Sequence, residues 1–108
     1  MGRSYNMINV LFYLTGKPGT EQPLRTLLGE MQRVSRDVDG AIQYTFMQQK
    51  DAPAEWALIE QWRDKAHLIA HTQTMVQRFG AVPEGASLPA QLHALVEKSS
   101  HRFYRALE

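Results

Sequence analysis

One short segment of the sequence places an acid, an indole and an imidazole where they can act on the same small molecule. Glu60 and Trp62 are two residues apart in a segment that alternates like a β-strand, so their side chains share one face. His71 lies about two turns into the helix that follows, and this helix must fold back over the sheet. An imidazole exchanges protons near neutral pH, and an indole offers a flat stacking surface. We therefore expect Glu60, Trp62 and His71 to converge on one apolar cavity.

Four further residues are candidates for the wall of that cavity. Asn9 interrupts an apolar strand, and a buried amide there needs a partner, either a ligand or a neighbouring backbone group. Tyr44, Phe46 and Met75 would add aromatic and thioether surface around a flat guest. These residues also fit the plain core of a small domain, and a buried acid–imidazole pair can simply satisfy itself. Only an open cavity would favour binding over packing.

Composition and motifs argue against several classes of function. The chain of 108 residues has a formal net charge of +1 and no basic patch interleaved with aromatic residues, so we expect no nucleic-acid partner. It has no cysteine, no G-x-G-x-x-G and no P-loop. His67 and His71 share a helix face, but Leu68 stands where a metalloprotease motif needs Glu, and a third ligand is not evident. We therefore expect neither a metal nor a cofactor.

The hydrophobic pattern predicts one α+β domain over residues 1–108, with the ferredoxin-like order β-α-β-β-α-(α)-β and a four-stranded antiparallel sheet. The strands are predicted over 7–15, 41–49, 55–62 and 101–107. Helices are predicted from a Thr20 cap to about Gly40 and from an Asp64 cap onward, with a short extra helix between Leu88 and Val96. The second long helix is expected to turn these residues toward the core: Leu68, Ile69, Thr72, Val76 and Phe79.

The first strand carries apolar residues on both faces. Two helices can cover only one face of such a sheet, and a face that met water would alternate toward polar residues. We therefore expect a second copy of the chain to cover the open face, which predicts a homodimer.

No segment reaches the ~18 apolar residues of a membrane span, so we expect no membrane partner. The apolar stretch near the N-terminus is short and is followed by a turn signal, Gly16-Lys17-Pro18-Gly19, where a leader would have its cleavage site. Together with the absence of cysteine, this favours the cytoplasm.

The sequence resembles the antibiotic biosynthesis monooxygenase domain family. The signature is carried by Glu60-x-Trp62 followed by Asp64, Leu68 and His71. Further residues that fit the family pattern are Asp39-Gly40, Tyr44, Glu55-Trp56-Ala57-Leu58, Thr72 or Thr74, and Phe79. The resemblance covers about residues 7–80 in order.

This resemblance implies a dimeric α+β barrel and an oxygenase that needs no flavin, haem or metal. Such an enzyme would use O₂ to convert a (poly)cyclic aromatic phenol, an anthrone or a quinol to a quinone. The implied roles are His71 as a base oriented by Glu60, with Trp62 stacking on the ring. Haem-cleaving members typically have Trp at the position of His71 and a His ten residues later, where this chain has Ala81. Haem degradation is therefore not expected.

Two alternatives fit the same residues. One is a barrel that binds a small ligand, or serves as a structural module, without turnover. The other is a protein similar to polyketide cyclases. The shape of the interior discriminates between ligand chemistry and a structural role, because a filled interior favours a scaffold.

Overall fold

A computed structural model describes residues 6–107, which form one four-stranded antiparallel sheet with helices packed on one face. The elements in chain order are β1 (Ile8–Gly16), α1 (Glu21–Arg36), β2 (Ala41–Gln48), β3 (Glu55–Trp62), α2 (Lys65–Phe79), α3 (Ala90–His93) and β4 (Val96–Tyr104). The strand order across the sheet is β2-β3-β1-β4, and every neighbouring pair is antiparallel. This arrangement confirms the predicted ferredoxin-like α+β fold.

In strand β3 the alternation of burial follows the alternation seen in the sequence. Its residues alternate between half-buried and buried along the whole strand, so every second side chain points to the helices. The inward row consists of Trp56, Leu58, Glu60 and Trp62. The pleat of an otherwise apolar strand therefore places one carboxyl group, that of Glu60, in the interior.

Strand β4 differs from its prediction. It begins at Val96, whereas the sequence pattern placed its start at His101. Val96 pairs with Gly16 at the end of β1, and after a shift in register the polar run from Lys98 to Ser100 continues the pairing. A polar run of this kind is tolerated because β4 is an edge strand whose residues after Val96 are all exposed. The predicted short helix is correspondingly reduced to one turn.

Helix α2 turns inward most, but not all, of the residues predicted to face the core. Its buried residues are His71, Met75 and Phe79, which are spaced one turn apart. Phe79 is buried as predicted, and Leu68 and Val76 lie on the inner side of the helix. Thr72 is largely exposed but borders the same interior space, whereas Ile69 is 48% exposed, so the expectation for Ile69 was wrong. The buried stripe begins with His71, whose inward position was expected from its spacing after Trp62.

The two predicted helix caps have different outcomes. The Asp64 side chain accepts a hydrogen bond of 3.0 Å from the backbone N–H of His67, which is the expected N-cap geometry. Thr20 precedes α1 as predicted, but its hydroxyl donates to the carbonyl of Lys17 at 2.7 Å and makes no cap bond.

The outer face of the sheet is partly apolar. Leu11 and Ile59 are paired across β1 and β3 and are half-buried, while Tyr13 is 52% and Met47 43% exposed. No helix of the described chain is long and apolar enough to cross a membrane.

Candidate functional site

A cavity of about 200 Å³ lies between the inner face of the sheet and the helices. Its walls come from all four strands, from the three helices and from the segment between α2 and α3. The lining is mainly aliphatic and aromatic, with a few polar side chains. Exposed residues on the cavity wall, Val82 and Phe103, lie where the cavity meets solvent. This is the usual character of a small-molecule site.

Five of the seven predicted site residues line this cavity: Tyr44, Phe46, Glu60, His71 and Met75. They come from β2, β3 and α2, so the fold brings together residues that are far apart in the chain. The open interior distinguishes this domain from a plainly packed core.

Trp62 lies behind the cavity wall. Its side chain is fully buried, and its ring contacts the imidazole of His71 with centroids 4.3 Å apart. Its indole Nε1 donates a hydrogen bond of 2.9 Å to Oε1 of Glu60. Trp62 therefore holds Glu60 and His71 in place, and the predicted stacking of a ligand on its indole has no room.

Asn9 lies outside the cavity. Its neighbour Val10 faces the helices, so Asn9 belongs to the opposite face of β1. Its Oδ1 accepts from Gln61 Nε2 at 2.8 Å, and its Nδ2 donates to the carbonyl of Tyr104 at 3.1 Å. Of the two interpretations of this amide, the structure fits the one in which local partners satisfy it.

His71 has a hydrogen-bond partner that the sequence did not suggest. Its Nε2 lies 2.8 Å from the hydroxyl of Ser35, which is fully buried near the end of α1. The predicted orientation of His71 by Glu60 is not observed, because Glu60 Oε1 accepts from Trp62. Ser35 continues the buried stripe of Leu28 and Met31, and a serine on that stripe was the missed signal.

Burial shifts the pKa values of Glu60, His71 and Tyr44 away from their ordinary values. Loss of water raises the pKa of Glu60 to about 7, although the hydrogen bond from Trp62 opposes the rise. Burial lowers the pKa of His71 to about 4. Burial also raises the pKa of Tyr44, and the nearby Glu60 carboxylate adds to this rise. At pH 7 the imidazole and the phenol are neutral, and Glu60 is divided between its acid and its carboxylate.

The mouth of the cavity contains a histidine that the sequence analysis left without a role. The His101 ring is stacked on Phe12 with centroids 4.8 Å apart, and it meets the edge of Phe103 at 5.7 Å. Phe12, His101 and Phe103 all line the cavity. Register alone could have suggested this contact, because Phe12 and His101 are paired across β1 and β4.

The two histidines with metal-like spacing point to different partners. His67 Nδ1 lies 2.7 Å from Asp64 Oδ1, whereas His71 Nε2 contacts Ser35. Within residues 6–107, no group of three His, Asp or Glu side chains is placed to hold a metal ion.

Comparison with known proteins identifies the family. The sequence model described as antibiotic biosynthesis monooxygenase matches residues 7–81, which is more than half of the chain. The protein therefore belongs to the antibiotic biosynthesis monooxygenase family. None of the curated proteins matches the chain significantly.

Several solved structures share the fold over nearly the whole chain. PA3566 from Pseudomonas aeruginosa is 26% identical, with a TM-score of 0.78 over 95% of this chain and 96% of that one. Rv0793 from Mycobacterium tuberculosis is 22% identical, with a TM-score of 0.75 over 94% and 96%. A mutant of SnoaB, a cofactor-independent oxygenase from Streptomyces nogalater, is 14% identical, with a TM-score of 0.70 over 95% of each chain.

Proposed function

We propose that this protein is a cofactor-independent monooxygenase that uses O₂ to convert a small aromatic phenol to a quinone. The observation that carries the proposal is the Glu60 carboxyl group, whose pKa of about 7 suits proton transfer and which lines an apolar, accessible cavity. Membership of the family and the likeness to a cofactor-independent oxygenase support the same reaction class.

The volume of the cavity favours a small ring system. Drug-sized ligands occupy pockets of roughly 300–1,000 Å³. A cavity of about 200 Å³ suits one or two fused rings better than three. Phe12 and Phe46 on its wall offer aromatic surface to a flat guest.

The reaction begins with removal of the phenolic proton. Oε1 of Glu60 is engaged by Trp62, which leaves Oε2 as the oxygen available to take this proton. At pH 7 about half of the Glu60 side chains carry no proton and act as the base. Because the pKa of His71 is about 4, its imidazole is a weak base, so we assign the proton transfer to Glu60 and not to His71.

The resulting anion is electron-rich and can pass one electron to O₂ without a cofactor. The phenoxyl radical and superoxide then combine at a ring carbon that still carries hydrogen, and the proton from Glu60 completes a hydroperoxide. Loss of water from this hydroperoxide breaks the O–O bond and leaves a second carbonyl. One oxygen atom enters the quinone and the other leaves as water. The apolar walls keep bulk water from quenching the anion.

Oxygen uptake with 1-naphthol tests the proposal, with ¹⁸O₂ to follow the label. We expect one labelled oxygen in 1,4-naphthoquinone and no accumulation of hydrogen peroxide. A three-ring anthrone is expected to react more slowly because of its size. Naphthol that binds without any oxygen uptake would contradict the oxygenase and support a binding module.

The open cavity favours ligand chemistry over a purely structural barrel. A ligand-binding module without turnover and a cyclase-like protein remain the alternatives. A cyclase would convert a linear polyketide without consuming O₂, so the same oxygen measurement separates it from the proposed enzyme.

We further propose that the protein acts as a homodimer and that its compartment is the cytoplasm. The support for the dimer is the outer sheet face, where Leu11, Tyr13, Met47 and Ile59 leave apolar surface uncovered. Light scattering at micromolar concentration is expected to give twice the monomer mass of 12.3 kDa. A monodisperse monomer would contradict the dimer.

A further inference from the structure

The contact between Ser35 and His71 determines more than the position of the ring. Ser35 is fully buried on α1, and its hydroxyl lies 2.8 Å from His71 Nε2. A neutral imidazole carries its hydrogen on only one of its two nitrogens, and the partner of one nitrogen decides which. The direction of this hydrogen bond therefore sets what His71 offers to a ligand.

The Ser35 hydroxyl has one hydrogen and three polar neighbours, His71, Met75 and the phenol of Tyr44. The Tyr44 phenol is neutral and can donate its own hydrogen to the Ser35 oxygen, so His71 and Met75 are the two acceptors that compete for the hydrogen of Ser35. Nε2 of His71 lies at 2.8 Å, and the thioether sulfur of Met75 lies at 3.7 Å. An imidazole nitrogen is a good acceptor, whereas a thioether sulfur is a weak one. The nearer and stronger acceptor takes the hydrogen, so Nε2 accepts and Nδ1 must carry the imidazole hydrogen.

Nδ1 is the nitrogen available to a ligand. His71 lines the cavity, and the part of the chain that the structure describes offers Nδ1 no hydrogen-bond partner. Nδ1 is also not sealed from solvent, in contrast to the unpartnered Nε1 of Trp56. A donor that is neutral and pre-oriented can stabilise an oxygen anion without reorganisation during the reaction.

We propose that Ser35 is a positioning residue that holds His71 as the Nδ1–H tautomer, so that this hydrogen is donated to the oxygen of the bound ligand. In the proposed oxygenase, Glu60 takes the phenolic proton and His71 stabilises the phenolate that results. The tautomer itself does not depend on turnover, whereas its catalytic consequence rests on the proposed function.

The tautomer is measurable by ¹⁵N NMR of histidine-labelled protein at pH 7, without any ligand. The signals of His71 are assigned by their loss in His71→Gln, since the chain has four histidines. We expect a protonated Nδ1 and an unprotonated Nε2. A protonated Nε2 in the wild-type protein would overturn the proposal directly.

Two variants separate the roles of the two acceptors. Ser35→Ala removes the donor, and we expect the His71 signals to lose their bias toward Nδ1–H. Met75→Leu removes the sulfur acceptor and keeps an apolar side chain of similar size, and we expect the tautomer to be unchanged. A change of tautomer in Met75→Leu would mean that the hydroxyl serves the sulfur, which contradicts the proposal.

Turnover of 1-naphthol tests the catalytic consequence. We expect Ser35→Ala to lower kcat roughly tenfold with little change in KM, because the donor is misplaced while the cavity remains. Ser35→Thr, which keeps a hydroxyl, is expected to recover part of the loss. An altered tautomer with unchanged kcat would refute the catalytic role. If the wild type consumes no O₂ but shows Nδ1–H, the proposed function fails and the tautomer assignment stands.

Discussion

His67 and His71 lie one turn apart on α2 and have opposite surroundings. The side chain of His67 is 23% exposed, and its two ring nitrogens lie 2.7 Å from Asp64 and 3.3 Å from Asp39. His71 is only 4% exposed and contacts the neutral groups of Ser35, Trp62 and Tyr44. The imidazole of His67 belongs to a charged surface cluster with Asp39, Arg63 and Asp64, the rim cluster. The imidazole of His71 lines the apolar cavity.

The comparison shows how strongly access to water decides what a titratable group can do. The Arg63 guanidinium holds the pKa of Asp39 below its usual range, and the backbone N–H of His67 does the same for Asp64. These rim carboxylates stay ionised, as is usual for surface charges. Inside, burial raises the pKa of Glu60 and lowers that of His71. Of these four groups, Glu60 is the one whose pKa, about 7, suits acid–base chemistry near neutral pH.

The largest expected effect comes from removing the interior carboxylate. Glu60→Gln keeps the shape and the hydrogen bond from Trp62 but cannot take a proton. We expect kcat for 1-naphthol to fall by roughly 10²–10⁴-fold, the usual contribution of a general base. Steady-state oxygen uptake measures this loss.

Asp39→Asn is the matched control in the rim cluster, since its carboxylate is 81% exposed and does not line the cavity. We expect this variant to keep wild-type turnover. Equal losses in both variants would remove the distinction between rim and interior.

The pH dependence of stability provides the next test, because Glu60 and His71 act in opposite directions. The folded-state pKa of Glu60 is raised from 4.5 to about 7, so its contribution is greatest below pH 4.5 and is lost as the pH rises through 7. The folded-state pKa of His71 is lowered from 6.5 to about 4, so its contribution is present above pH 6.5 and is lost as the pH falls through 4. Between about pH 4.5 and 6.5 the two contributions change in opposite directions, so their effects on the free energy of unfolding largely cancel.

Single variants should reveal the pH dependence of stability that each group contributes. In Glu60→Gln the free energy of unfolding is expected to increase from pH 4.5 to 6.5, by up to about 3 kcal/mol. In His71→Gln it is expected to decrease over the same interval by a similar amount. Urea titrations at five pH values measure both. Parallel curves for the two variants would show that the interior groups do not titrate as proposed.

Most of the fold followed from the sequence, whereas the chemistry of the site followed only in part. The pattern of β3 predicted both its bounds and the inward position of Glu60, because a strictly alternating strand turns one set of side chains toward the core. The partner of His71 was missed because Ser35 comes from another helix, and no local period relates the two residues. Trp62 was expected on the cavity wall and lies behind it, because depth within the core depends on packing that a strand pattern does not encode.

The rim cluster is expected to matter for stability through packing more than through charge. Gly40 has φ of +87°, and a Cβ placed there would lie 2.3 Å from the ring of His67. Gly40→Ala is therefore expected to destabilise the protein by about 2 kcal/mol, since backbone strain and a steric conflict add. Thermal unfolding measures the change.

Gly19→Ala is the control, because Gly19 has a similar φ of +80° but no atom within 4 Å of the added Cβ. We expect it to cost about 1 kcal/mol, from backbone strain alone. Equal costs at the two positions would mean that the His67 ring moves aside freely.

The smallest effect is expected from the charged contacts of His67 themselves. His67→Gln removes the bonds to Asp39 and Asp64 but leaves the backbone N–H that Asp64 caps. Exposed ion pairs contribute roughly 0–1 kcal/mol, so we expect a change in unfolding free energy below about 1 kcal/mol and unaltered kcat. His71→Gln, one turn further along the helix, is expected to lower kcat more than tenfold by removing the donor to the phenolate. A rim variant that matched the interior variant in kcat would mean that the charged cluster reaches the reacting atoms, and the separation of the two histidines would have to be abandoned.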